Sequence, residues 1–326
     1  MQYTIVTGAA GFIGFHLSKA LLKKGIKVLG IDNLNPYYDV RLKKQRLKIL
    51  KKYSNFHFKK IDISNAKKLF GLKKNYKIIK IFHLAAQAGV RYSLKNPEAY
   101  TKTNLIGFAN ILQLSRVAKI KKLVFASTSS VYGANKLSPF TEDHNTDQPI
   151  QYYAATKKSN EIMAYSYSYL FKIPMIGLRF FTVYGPWGRP DMALFKFTKN
   201  IILGKKIDVF NNGIHSRDFT YIDDLVNGII LADKANLKNT KNKYFQIFNL
   251  GSNSPVKLMK YIKIIENILN KKAKINYLPL QKGDIVKTFC NIKKSKKILG
   301  YKPKIKVEKG IKNFIDWYKT NYLVSR

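Results

Sequence analysis

The side chains best placed by type and spacing to move a proton are those of Tyr153-Ala154-Ala155-Thr156-Lys157, which set a phenol and an ammonium one helical turn apart on one face. About 25 residues upstream lies a run of hydroxyls, Ser127-Thr128-Ser129-Ser130. A phenol serves as a base near neutral pH only if it ionises well below its ordinary value of ~10. An ammonium ~4 Å away, at an effective dielectric of ~20, would contribute roughly 4 kcal/mol, or about three pKa units. A nearby hydroxyl can share the proton. Spacing alone means little in a chain with 21 Tyr and abundant Lys, where Tyr76/Lys80 and Tyr132/Lys136 repeat it. Tyr76 leads into a strand pattern, where i and i+4 are far apart, and Tyr132 runs into Gly133 in a loop pattern. Only Tyr153 combines a helical pattern with the hydroxyl run behind it.

A second constellation is Gly8-Ala9-Ala10-Gly11-Phe12-Ile13-Gly14, between an apolar strand pattern and a helical one. Gly8 and Gly11 permit a tight turn and close approach of the backbone to a pyrophosphate. Gly14 lets the helix pack near the strand, with its N-terminus toward the negative charge. Asp32 ends the next strand pattern, where a carboxylate accepts from an adenosine ribose diol and repels a 2′-phosphate. A dinucleotide is expected, and NAD over NADP.

The elements that must carry these groups alternate. Strand patterns occupy Tyr3–Thr7, Lys27–Ile31, Phe56–Ile61, Ile78–Leu84, Lys122–Ser127 and Pro174–Phe180, with helical patterns near Phe12–Lys24, Val40–Lys52, Pro97–Ala118 and Gln151–Phe171. Such alternation predicts an α/β fold, a Rossmann-type doubly wound parallel sheet. After Tyr184–Pro190 the pattern becomes helices mixed with short strands, predicting a smaller C-terminal α+β substrate lobe. Residues 1–180 are expected to hold the dinucleotide, with some later segments returning to that domain, and 181–326 mainly the substrate.

Composition removes several classes of function. Hydrophobic residues make up 46% of the 326 positions, which excludes disorder. The lone Cys290 excludes an internal disulfide, and the scattered histidines show no ligand spacing, so no metal is expected. His83, flanked by apolar residues, reads as a satisfied strand histidine. The formal charge is +42, yet only eight of the 60 basic residues are arginine and the lysines are spread throughout. Nucleic-acid readers favour the arginine fork, so the excess reads as a solvating lysine bias and no specific nucleic-acid partner is expected. Without a long apolar run or a leader pattern, a cytoplasmic protein with no membrane contact is expected.

Five segments together, Thr7–Gly14, Leu84–Arg91, Ser127–Gly133, Tyr153–Lys157 and Arg179–Met192, resemble the extended short-chain dehydrogenase/reductase superfamily. Ile31–Lys43 (IDNLNPYYDVRLK), Gly188–Phe197 (GRPDMALFKF) and Ile207–Asp224 narrow the resemblance to the UDP-glucuronate 4-epimerases. The resemblance implies Tyr153 as base, Lys157 as its electrostatic partner and ribose anchor, and Thr128 as the hydroxyl nearest the reacting oxygen. It implies NAD contacts from Gly8, Gly11, Phe12, Ile13, Gly14, Asp32 and Asn33, from Asp62 and Ile63 near the adenine, and from Leu84, Ala85, Ala86 and Gln87 along the cofactor, with Asn104 behind it. It implies sugar contacts from Gln87, Thr128, Ser129, Ser130, Tyr153 and Thr182. Arg189 and Arg217 are expected on the carboxylate or diphosphate, and Asp284 on the uridine ribose. Gln281-Lys282-Gly283-Asp284 departs from the family pattern, which often has a proline before the glycine. The implied reaction is NAD-dependent conversion of UDP-glucuronate to UDP-galacturonate by a homodimer. The alternatives are a UDP-glucose or UDP-N-acetylhexosamine 4-epimerase and a UDP-glucuronate decarboxylase. A 4,6-dehydratase is disfavoured, since it needs an acid where Ser129 and Ser130 stand. A non-catalytic NAD- or RNA-binding relative would not need the intact Thr128/Tyr153/Lys157 set.

Overall fold

Strands buried on both faces read as continuous apolar runs, and such runs belong in the middle of a parallel sheet. The computed structural model, which describes residues 1–237, 240 and 242–324, has this plan. Its strands are β1 (Gln2–Thr7), β2 (Val28–Asp32), β3 (Phe56–Lys60), β4 (Lys77–His83), β5 (Lys122–Thr128), β6 (Met175–Phe180), β7 (Thr182–Tyr184), β8 (Lys206–Phe210), β9 (Ser216–Tyr221), β10 (Phe245–Leu250), β11 (Pro255–Lys257) and β12 (Lys274–Leu278). Seven of them form one sheet in the order β10-β6-β5-β4-β1-β2-β3, with every neighbouring pair parallel. The fold is the expected Rossmann-type α/β fold. Strand order reverses between β1 and β4, so the glycine turn after β1 and the loop after β4 flank the crevice where such sheets bind ligands.

Helices cover both faces: α1 (Phe12–Leu22), α2 (Val40–Leu50), α3 (Ala66–Asn75), α4 (Tyr92–Lys95), α5 (Pro97–Tyr100), α6 (Gly107–Val117) and α7 (Tyr152–Phe171). Successive strand residues point to opposite faces. Thus Ile5, Ile81 and Leu123 pack with Phe108 and Leu112 of α6, while Val6, Phe82 and Val124 pack with Leu17 of α1 and Leu47 of α2. The remaining helices are α8 (Ala193–Ile202), α9 (Ile222–Lys234), α10 (Leu258–Leu269), α11 (Lys293–Leu299) and α12 (Val307–Trp317). They pack around the small sheets β11-β9-β7 and β12-β8. This lobe continues the α1/α2-side core through Phe195, Tyr261 and Phe314. Its last two residues, 325 and 326, lie outside the described residues.

One difference from the sequence reading bears on the site. The helix expected over Pro97–Ala118 is interrupted by a π-helical turn at Thr101–Ile106 between α5 and α6. β10 comes from the second half of the chain and pairs with β6, completing the large sheet. Among the described residues no helix is long and apolar enough to cross a membrane.

Candidate active site

At the dinucleotide end, backbone geometry shapes the cradle. Gly8 has φ +70°, and a Cβ there would lie 2.9 Å from Ala85 N. A Cβ at Gly14 would meet Gly8 O at 2.0 Å, so the turn closes only on glycine. Helix α1 begins at Phe12 behind Gly11, which brings no capping side chain, whereas Asp39 and Asn65 cap α2 and α3. The first-turn N–H groups of α1 therefore suit an anion. Asp32 is buried and accepts from Ala10 N at 3.1 Å and Leu34 N at 2.8 Å, which ties the turn to the end of β2. Asn33 donates to Asp62 at 3.0 Å, and the Ser64 hydroxyl does so at 2.8 Å. Burial pushes Asp62 up, but the bonds from Ser64 and Asn33 prevail and hold its carboxyl below the usual value. A turn too tight for any Cβ, a helix start without a side-chain cap and a carboxylate at the strand end fit a dinucleotide.

Thr7 Oγ1 accepts from the N–H groups of Leu84 and Ala85, each at 3.1 Å, and its own hydroxyl bonds His83 Nδ1 at 2.9 Å. Burial, with the charge of Lys157, keeps the His83 imidazole neutral. Asn104, in the π turn, receives Gln87 N at 2.8 Å and returns its amide to Gln87 O at 3.0 Å and to Thr156 Oγ1 at 3.0 Å. Helical widening at a functional side chain is a common use of π turns. Asn160 donates to Asn104 O at 2.7 Å and receives Lys157 Nζ at 3.0 Å. Asn160 and Thr156 were not anticipated, although their i+3 spacing from Lys157 and Tyr153 on α7 was readable.

Tyr153 sits on the first turn of α7, within reach of the Thr128 hydroxyl at the end of β5, which acts on its phenol. Thr128 Oγ1 also contacts Ser130 Oγ at 3.2 Å and accepts Ser130 N at 3.1 Å, across the turn that starts at Ser129. Burial holds the Tyr153 phenol above its ordinary value, and the Thr128 hydroxyl and the charge of Arg189 offset only part of that rise. The expected dominance of Lys157 is corrected here. Its ammonium is turned to Asn160, and burial, offset by Glu161, lowers it to about 8. The remaining hydroxyl of the run, Ser127, donates to Glu161 at 2.6 Å, where Arg179 also bonds in a buried fork.

The opposite end is charged. Thr182 opens β7 and lines a small pocket with Phe12 and Arg189. Arg189 bonds both oxygens of Asp191, which also accepts from Tyr37 Oη at 3.3 Å. Neither Asp191 nor Tyr37 was anticipated; the Arg-x-Asp spacing in Gly188–Met192 was the available signal. Arg217 donates to Val286 O at 2.8 Å. Asp284 pairs with Arg91 at 3.0 Å, and Arg91 in turn stacks on Phe210 at 4.2 Å. The charges of Asp284 and Arg91 both act on Arg217, so these three groups form one cluster.

The profile of the GDP-mannose 4,6 dehydratase family matches residues 5–314. A UDP-glucuronate 4-epimerase of Thermodesulfobacterium geofontis is 46% identical over 98% of this chain and 97% of its own length. This chain belongs to the UDP-glucuronate 4-epimerase family. An uncharacterized protein of Methanocaldococcus jannaschii matches at 54% identity, over 97% of this chain and 96% of its own length. The solved UDP-glucuronic acid 4-epimerase of Bacillus cereus, in complex with UDP-glucuronic acid and NAD, superposes with a TM-score of 0.89. Its identity is 35%, covering 97% of this chain and 99% of that one. The dehydratase named by the profile shares the wider family, but in this epimerase-family member Thr128 is followed by Ser129 and Ser130 rather than by an acid.

Proposed function

We propose that this protein is an NAD-dependent UDP-glucuronate 4-epimerase that interconverts UDP-glucuronate and UDP-galacturonate. The observation that carries the reading is that Thr128 and Arg189 both act on the Tyr153 phenol, while Arg189 and Thr182 line one pocket with Phe12, the first residue of the helix behind the glycine turn. The glycine turn, Asp32 and Asp62 hold NAD, and Lys157 anchors its ribose. NAD, when bound, supplies the reversible redox step at the sugar C4. Tyr153 Oη takes the proton of the 4-hydroxyl and later gives it back, with Thr128 sharing it. Arg217 and the Arg91–Asp284 pair bind the UDP moiety, while Arg189 receives the sugar carboxylate in exchange for Asp191. A 4-keto uronic acid is a β-keto acid and loses carbon dioxide readily. Thr128, Ser129, Ser130 and Thr182 hold its carboxylate in the ring plane, which disfavours that loss.

The division of labour along the chain follows, with residues 1–180 and β10 serving NAD and most of 181–326 serving the sugar nucleotide. A C₂ homodimer is part of the proposal. Ile106 of the π turn and Ile162, Tyr169 and Leu170 of α7 are exposed apolar groups, and Ile106 and Tyr152 line one groove between these helices. A particle of 37.5 kDa in light scattering would reject the dimer. The proposed location is the cytoplasm, where nucleotide sugars are made.

Purified protein incubated with UDP-glucuronate, UDP-glucose and UDP-N-acetylglucosamine, with products separated, tests the substrate. UDP-galacturonate as the main product is expected. Epimerisation of a neutral sugar alone, or formation of a UDP-pentose as the main product, overturns it. Deuterium placed at the sugar C4 stays there in the inverted product; its exchange into solvent excludes the mechanism.

A further inference from the structure

Arg46 is completely buried, and no carboxylate pairs with it among the described residues. Burying a guanidinium without a counter-charge is costly, so its bonds need a purpose. From α2 it donates to Ala10 O in the glycine turn at 2.9 Å and to Tyr38 Oη at 2.8 Å. Its other nitrogen reaches Trp187 O at 2.5 Å and Gly188 O at 3.3 Å. The preceding carbonyl, Pro186 O, contacts His16 Nε2 of α1 at 3.0 Å. Burial holds the His16 imidazole down at about 3, so it is neutral and acts as an N–H donor, not as a charge. Three successive carbonyls of one strap are therefore held by side chains from the two helices that flank the glycine turn. The strap is not relaxed backbone, since Trp187 has φ +59°, a conformation that costs a non-glycine residue ~1 kcal/mol or more. The next residue is Arg189.

We propose that His16 and Arg46 are positioning residues: they clasp the Pro186–Gly188 strap against the glycine turn, and through the strap set Arg189 beside Tyr153. The dinucleotide end and the sugar-nucleotide end are thereby held in register. The groups facing Tyr153 are few. Thr128 approaches from β5, Arg189 from the strap and the Tyr100 ring from α5 at 6.1 Å, while Lys157 on its own helix is turned to Asn160. Slackening the strap removes the one cation acting on the phenol among the described residues, so the Tyr153 ionisation moves to higher pH.

This inference rests on the proposed epimerase reading, and its test carries readouts independent of turnover. Arg46→Lys keeps a charge but not the fork that reaches carbonyls on two sides. His16→Leu removes the donor, and His16→Gln restores one. The chain has two tryptophans, so in a Trp317→Phe background the emission of Trp187 reports the strap. Arg46→Lys and His16→Leu should raise acrylamide quenching of Trp187 at least twofold, with His16→Gln near the parent. The ultraviolet titration of the phenol, taken as the difference from Tyr153→Phe, should move up by about one unit. The rising limb of kcat against pH should move with it, and Arg189→Gln should add no further shift to Arg46→Lys. A merely structural Arg46 or His16 would lower the melting temperature and leave the phenol where it was. Unchanged quenching and an unchanged phenol titration in both variants overturn the clasp. If Arg46→Lys does not fold, His16→Leu decides. Should the unmodified protein fail to epimerise UDP-glucuronate, the functional reading falls, while quenching and titration still decide the clasp.

Discussion

Around the glycine turn the shaping bonds join main-chain N–H groups to side chains without any ion pair: Ala10 N–H donates to Asp32, Leu84 and Ala85 N–H to Thr7, and Gln87 N–H to Asn104. At the sugar-nucleotide end they are ion pairs and a phenol contact: Arg189 forks onto Asp191 two residues away, Arg91 meets Asp284 across 193 residues, and Tyr37 meets Asp191 across 154. The first end is a preformed steric mould, in which a single added methyl group collides with backbone. The second holds Arg189 and Arg91 against internal carboxylates, for which an anionic ligand would exchange under the proposed function. Under the proposed function, selectivity for the dinucleotide would lie in backbone shape, and selectivity for the sugar nucleotide in competing charges.

The largest expected effect falls between the two ends. Tyr153→Phe keeps the ring and should cut epimerisation by on the order of 10³-fold or more, while NAD and UDP still bind. Loss of either ligand would mean that the phenol shapes the site rather than serving as its base. Gly14→Ala drives a Cβ into Gly8 O and should cost about 2–4 kcal/mol of stability and at least ~10²-fold in NAD affinity. UDP binding by that variant should survive, because the arginine cluster lies elsewhere; its loss in calorimetry breaks the comparison.

Lys157 gives a pH signature belonging to the mould. Burial leaves its folded value at about 8, below the unfolded 10.5, so the unfolded chain binds more protons between these limits. Below pH ~8 the fold carries the full penalty of a buried ammonium, and stability rises as pH climbs from ~8 to ~10.5, by roughly 3 kcal/mol for this group. The rest of the lysine-rich surface also discharges in this range, so the check is the difference from Lys157→Met in urea melts at pH 7.5 and 10. Parallel curves would show that the amine is not buried as a cation. The smallest effect expected is at Arg91→Ala. Freeing Asp284 should raise the KM for the sugar nucleotide about tenfold and leave NAD affinity unchanged. An equal loss for both ligands would join the two ends into one unit.

Periodicity made most of the secondary structure legible, because strands buried on both faces and amphipathic helices carry their burial in their pattern. Three helices escaped it, among them the single turn Tyr92–Lys95, which buries only Ser93. Ala66–Asn75 and Lys293–Leu299 each bury only two side chains in a lysine-rich surface, and so display almost no apolar stripe. The π turn at Thr101–Ile106 was also hidden, since one widened turn leaves the helical spacing on either side nearly unchanged.

The sequence by itself determined the glycine turn, Asp32 at the strand end and the Tyr153/Thr128 pairing, since each depends on chain-local geometry or on the order of strands in a parallel sheet. Charge partners were decided only by the tertiary structure. Lys157 faces Asn160, Arg189 is forked onto Asp191, Arg91 rather than Arg217 pairs with Asp284, and Arg46 holds carbonyls instead of an acid. The physical reason is that a long cationic side chain has several acceptors within reach, and which one it takes depends on burial and on segments brought near by folding. With 60 such cations and 18 acids in the chain, composition leaves nearly all of those pairings open.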